Sequence, residues 1–332
     1  MTRPARRPVA ALAAAAASAL LLAACGSSAA EDADGGAGAG AAAGGGDASS
    51  EAGETPETLV FASIPSENAS SITEDYGHVM DVIEQETGIP VEQQEATDYA
   101  AVIEALRAGQ VHVAALGPFS YVTAKDGDAG VELLGAVVDS ADEDPGYRSY
   151  GIVPAGSDIT DLAGFEGQRV CFVDPTSTSG YLYPSAGLME NDIDPENDVE
   201  PVLAGGHDAS ALSVADGTCD AGFAYDTMVT QELVESGQLQ EGDLEVVWES
   251  EVIPGSPTVM SDRLPQELRD QLSTLFAEDM NVPWMVENGY CESEDDCVMP
   301  ESHTYGYVPV EDSLYDGIRE VCDITRSPSC VE

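Results

Sequence analysis

Arg169-Val170-Cys171-Phe172-Val173 runs into Asp174-Pro175-Thr176-Ser177-Thr178-Ser179-Gly180 and then into Tyr181-Leu182-Tyr183-Pro184-Ser185-Ala186-Gly187-Leu188-Met189-Glu190. The apolar run reads as a buried strand, the hydroxyl-rich stretch as a turn, and the last segment as the start of a helix. Strand, turn and helix N-terminus together form an anion site, because free N–H groups and the positive helix end converge on one spot. Hydroxyls there add donors without adding charge. The same Ser and Thr residues would also serve as an ordinary N-cap, but one cap needs only one hydroxyl.

The surrounding sequence repeats the strand-to-helix pattern. Leu59–Ile64 reads as a strand closed by Pro65, followed by a helix over about Asp75–Thr87 that Gly88 stops. A strand at Pro90–Glu95, a helix at Tyr99–Arg107 capped by Asp98, and a strand at Val111–Leu116 come next. Gly117-Pro118 breaks that strand, a helix begins near Phe119, and Val131–Asp139 is a further strand. Such alternation predicts an α/β fold with a parallel sheet covered on both faces. A second lobe starts at Tyr150–Pro154 and contains the opening motif, a strand at Val199–Leu203, a helix at Ala209–Ala215 and a strand at Ala221–Tyr225. Leu244–Trp248 leads back towards the first lobe, and helices at Gln266–Ala277 and Glu311–Val321 close the chain.

The N-terminus is of another kind. Arg3, Arg6 and Arg7 precede an apolar run from Val9 to Ala24 that ends Leu22-Ala23-Ala24-Cys25-Gly26. This is the pattern of a secretory signal, and its ending resembles a bacterial lipobox, implying cleavage before Cys25 and lipidation of its sulfur. The plainer alternative is a signal peptide with an incidental cysteine. No later segment approaches the ~20 apolar residues of a membrane span. Residues 26–56 are Gly, Ala, Ser, Asp and Glu with almost nothing to bury, as in a tether. The expected organisation is a signal at 1–24, a tether at 25–56, a first lobe at 57–149 plus 250–332, and a second at 150–249. The mature chain is expected to be exported, anchored at the cell membrane and monomeric.

The formal net charge is -51, and Lys125 is the single lysine. Such a surface repels nucleic acid and anionic membranes. It suits high salt, where screening relieves self-repulsion, or an acidic secreted protein of a high-GC bacterium. Besides Cys25 there are Cys171, Cys219, Cys291, Cys297, Cys322 and Cys330. In an exported chain these read as disulfides. Cys171 and Cys219 fall on predicted strands and could pair, leaving Cys291–Cys297 and Cys322–Cys330 as local loops, one of about fifteen possible pairings. Zinc is disfavoured, since no Cys-x-x-Cys pair occurs and the histidines are scattered. No metal or cofactor is expected.

Seven segments in order resemble the phosphate, phosphite and phosphonate substrate-binding proteins of ABC importers. They are Ile64-Pro65-Ser66-Glu67-Asn68, Thr97–Ala105, Leu116–Tyr121, Pro145-Gly146-Tyr147, Asp174–Leu182, Gly206–Ser210 and Ile253–Pro257, and they span about Leu59–Leu264. The resemblance implies a two-lobed, type II-like periplasmic-binding-protein fold that clamps its ligand in a cleft, and an ABC permease as partner. It places the hydroxyls of Tyr99, Ser177, Thr178 and Ser179 on a phosphorus oxyanion and Tyr147 over it. Plainer readings make Tyr99 a half-buried helix-start residue and Tyr147 hinge packing.

His207 sits between a Gly-Gly turn and a helix, where it could donate to an anion in either protonation state, or be a surface turn residue. Asp226 ends a strand. The resemblance makes it a ligand contact; there it would accept from a protonated oxyanion and penalise sulfate. Otherwise it caps the strand end. Ser256 departs from the aminoalkylphosphonate binders, in which that position is acidic. This disfavours aminoethylphosphonate and favours phosphate, phosphite or a small alkylphosphonate. Ala115-Leu116, where many relatives carry aromatic residues, suggests a roomier wall. A sensory role for the same ligands fits equally well. A phosphoryl-processing enzyme with Ser177 as nucleophile and His207 as base is the remaining alternative.

Overall fold

Strand residues with apolar side chains on both faces need cover on both faces, and that requirement shapes this molecule. The structure is a computed structural model that describes residues 53–66 and 69–330. The signal, the tether up to residue 52, Cys25, Glu67 and Asn68 lie outside the described residues. The strands are β1 Leu59–Ser63, β2 Val91–Gln94, β3 Val113–Ala115, β4 Val131–Val138, β5 Gly146–Tyr147, β6 Ser149–Pro154, β7 Arg169–Phe172, β8 Glu200–Leu203, β9 Ala221–Tyr225, β10 Leu244–Glu249, β11 Ile253–Pro254, β12 Pro257–Ser261 and β13 Gly306–Val308.

They form two large sheets, ordered β13-β4-β12-β3-β1-β2 and β10-β6-β9-β7-β8. In the first, alternate residues of β1 and β3 enter different cores: Leu59, Phe61, Val113 and Ala115 go one way, and Ala62 and Ala114 the other. In the second, Cys171 packs on one face and Val170 and Phe172 on the opposite face. The short antiparallel pair β5–β11 lies where the chain passes between the sheets.

The sheets are not purely parallel. β1 is parallel to β2 and β3, but β12 runs antiparallel to both β3 and β4, because it re-enters the first sheet after the chain has built the second. Leu244–Glu249 stays in the second sheet, antiparallel to β6. The expected helix over Asp75–Thr87 is two helices, Ala69–Asp75 and Gly77–Thr87. Among the described residues the disulfides are Cys171–Cys219, Cys291–Cys297 and Cys322–Cys330. Cys219, however, lies in the turn before β9, not on a strand.

Candidate functional site in the interlobe cleft

Tyr99, Tyr147, Ser177, Thr178, Ser179, His207 and Asp226 all line one cavity of about 210 Å³. They come from both lobes. The opening motif folds as a π-type turn, Thr178–Leu182, that passes into the helix Tyr183–Glu190. As the first N–H groups of that turn, those of Thr178 and Ser179 have no intrahelical acceptor. Gly180 is required here: a Cβ would stand 2.3 Å from the Val173 side chain.

Ser177 is both a cap and a cavity residue. Its Oγ accepts the Gly180 N–H at 3.1 Å and lies 3.3 Å from His207 Nε2. His207 is the first residue of the helix His207–Ala215 and is buried, not a surface turn residue. Its Nδ1 accepts the Tyr225 N–H at 3.2 Å. In the neutral ring the proton must then sit on Nε2, which donates towards Ser177 Oγ. With two donors filling its lone pairs, Ser177 keeps its own proton for a further acceptor. Burial pushes the imidazole pKa down to about 3, so the ring is neutral at ordinary pH.

Thr178 has a second task. Its Oγ1 accepts the Phe119 N–H across the cleft at 2.8 Å. The Ser120 hydroxyl donates to the Thr176 carbonyl at 3.0 Å, and the His207 N–H donates to the Ser66 carbonyl at 2.7 Å. These three contacts hold the lobes together around the cavity.

Tyr99 follows the capping residue Asp98, whose carboxylate accepts the Ala101 N–H at 2.8 Å. The Tyr99 hydroxyl is buried beside the Ser177 hydroxyl but makes no hydrogen bond of good geometry, and burial raises its pKa well above the usual value, so it stays a donor. Burial likewise raises the pKa of Tyr147. Asp226 is more occupied than expected. Its Oδ2 accepts the Arg148 N–H and its Oδ1 the Thr227 N–H, each at 3.1 Å, so it is a strand-end cap as well as a cavity residue. Burial raises its pKa.

Sequence reasoning missed Glu301, His303 and Asp139, which also line the cavity. They lie outside the seven motifs, and no pattern marks them. Ser256 is beside Glu301, so the serine there does not leave the cavity short of a carboxylate. Ala115 and Leu116 are buried in the core, not in the cavity wall. No lysine or arginine is among the lining residues.

A family model described as "ABC transporter, phosphonate, periplasmic substrate-binding protein" matches residues 61–315. The chain belongs to this family. It is 45% identical over 290 residues to the phosphate-import protein PhnD of Mycolicibacterium smegmatis, covering 85% of this chain and 90% of that one. It is 29% identical over 231 residues to the phosphonates-binding periplasmic protein of Escherichia coli, covering 68% of each. PhnD1 from Prochlorococcus marinus, solved with methylphosphonate, shares the fold at a TM-score of 0.67 and 17% identity, over 82% of this chain and all of that one (100%). This periplasmic-type binding protein is thus the capture component of an ABC importer. No helix among the described residues is long and apolar enough to cross a membrane.

Proposed function

We propose that the protein captures a protonated phosphorus oxyanion, with inorganic phosphate first and phosphite or a small alkylphosphonate next, and delivers it to a membrane permease. One observation carries this: the cavity sets hydroxyl donors from Tyr99, Ser177, Thr178 and Ser179, with His207 orienting Ser177, beside carboxyl groups, with no lysine or arginine lining it. Donors of that kind hold an anion, while the carboxyls favour one that still carries a proton. The phosphate-import relative supports phosphate as the first candidate. Lobe closure buries the anion and presents the closed form to the permease.

The same geometry argues against a nucleophilic Ser177. A base must offer an unprotonated nitrogen to the serine, and the Tyr225 N–H on Nδ1 leaves the proton of His207 on Nε2. We read the mature chain as a monomer lipid-anchored through Cys25 and suited to a saline setting. A melting temperature that rises with NaCl tests the last point. Calorimetry against phosphate, phosphite, methylphosphonate and aminoethylphosphonate tests the ligand class; heat with none of them overturns it.

A further inference from the structure

Glu301 enters the cavity from a turn that its flanks hold in place. Glu301 and Ser302 both adopt left-handed backbone conformations, with φ of 57° and 60°, a state that non-glycine residues keep only where the surroundings impose it. Before the turn, Cys291–Cys297 closes a loop and Met299 is buried. After it, the Thr304 N–H donates to Asp139 Oδ1 at 2.9 Å, and β13 pairs with β4. The Ser256 hydroxyl faces the Glu301 carboxyl. Both Asp226 oxygens already accept backbone N–H groups, which leaves Glu301 the less occupied carboxyl of the two.

We propose that Glu301 is a specificity-determining residue whose carboxyl accepts a P–OH proton of the bound oxyanion and rejects sulfate, which has the same shape without that proton. This rests on the oxyanion reading of the cavity. Burial raises the pKa of Glu301 and Asp226 adds to the rise, while His303 and Ser256 oppose it. A ligand donor would hold the ionised form in place.

The test is calorimetry of wild type and Glu301→Gln with phosphate, sulfate and aminoethylphosphonate at one ionic strength. Wild type should bind phosphate and not sulfate. Glu301→Gln should lower the phosphate-to-sulfate affinity ratio by about tenfold or more, equivalent to about 1.4 kcal/mol. Wild-type phosphate binding with an unchanged ratio in the variant overturns this proposal alone. A loss confined to aminoethylphosphonate also overturns it, because the partner is then an ammonium group. Wild type binding no phosphorus oxyanion overturns it together with the function above. If Glu301→Gln does not fold, Glu301→Asn, which tolerates left-handed backbone, takes its place. Sulfate competing equally with phosphate on wild type is decisive against the proposal in any case.

Discussion

His207 Nε2 lies 3.3 Å from Ser177 Oγ, with the ring's other nitrogen held by the Tyr225 N–H. The pair is therefore oriented so that the Ser177 hydroxyl proton is left for an acceptor in the cavity, which under the proposed function is the oxyanion. His207→Phe should weaken oxyanion binding by about 1–3 kcal/mol, read by calorimetry. Because burial holds the ring near a pKa of about 3, its titration should leave affinity unchanged between about pH 5 and 8.

Thr178 joins the lobes through the Phe119 N–H. Thr178→Val leaves that buried N–H without its acceptor, which should cost about 1–3 kcal/mol. Chemical denaturation measures the loss, and an unchanged midpoint would show that the N–H finds another partner.

Cys171–Cys219 closes a separation of 48 residues. Replacing both cysteines by alanine should destabilise the protein by about 2–4 kcal/mol, mainly by freeing the unfolded chain. Thermal melts with and without reductant check this: reductant should lower the wild-type transition and leave less to lose in the variant.

Glu232 accepts the Tyr225 hydroxyl at 2.7 Å and the Thr227 hydroxyl at 3.1 Å, and burial pushes its pKa up to about 7 from 4.5. The folded state binds the proton more tightly than the unfolded one, so this contribution is complete below about pH 4.5 and lost as pH rises through about 7. Glu232→Gln should therefore show a smaller fall in melting temperature from pH 5 to pH 8 than wild type. Equal falls would place the titrating group elsewhere.

Much of the cleft is legible in the sequence because its parts are local. A strand, a Ser/Thr turn and a helix start at 169–190 build one wall of the cavity within one stretch of chain, and Asp98 and Gly206 position Tyr99 and His207 in the same way. The antiparallel return of β12 is not legible, since pairing depends on where the chain re-enters the sheet. Nor is the double role of Thr178 and Asp226, whose partners lie 59 and 78 residues away.

The two-lobed α/β class, the hydroxyl-rich turn at 176–179 and the family are legible in the chain alone, because local patterns and motif order carry them. The tautomer of His207 and the place of Glu301 in the cavity emerge from folding and not from the order of residues. Both depend on groups that folding brings together from separate stretches of chain, where burial and a partner's N–H or hydroxyl, not residue type, set the chemistry.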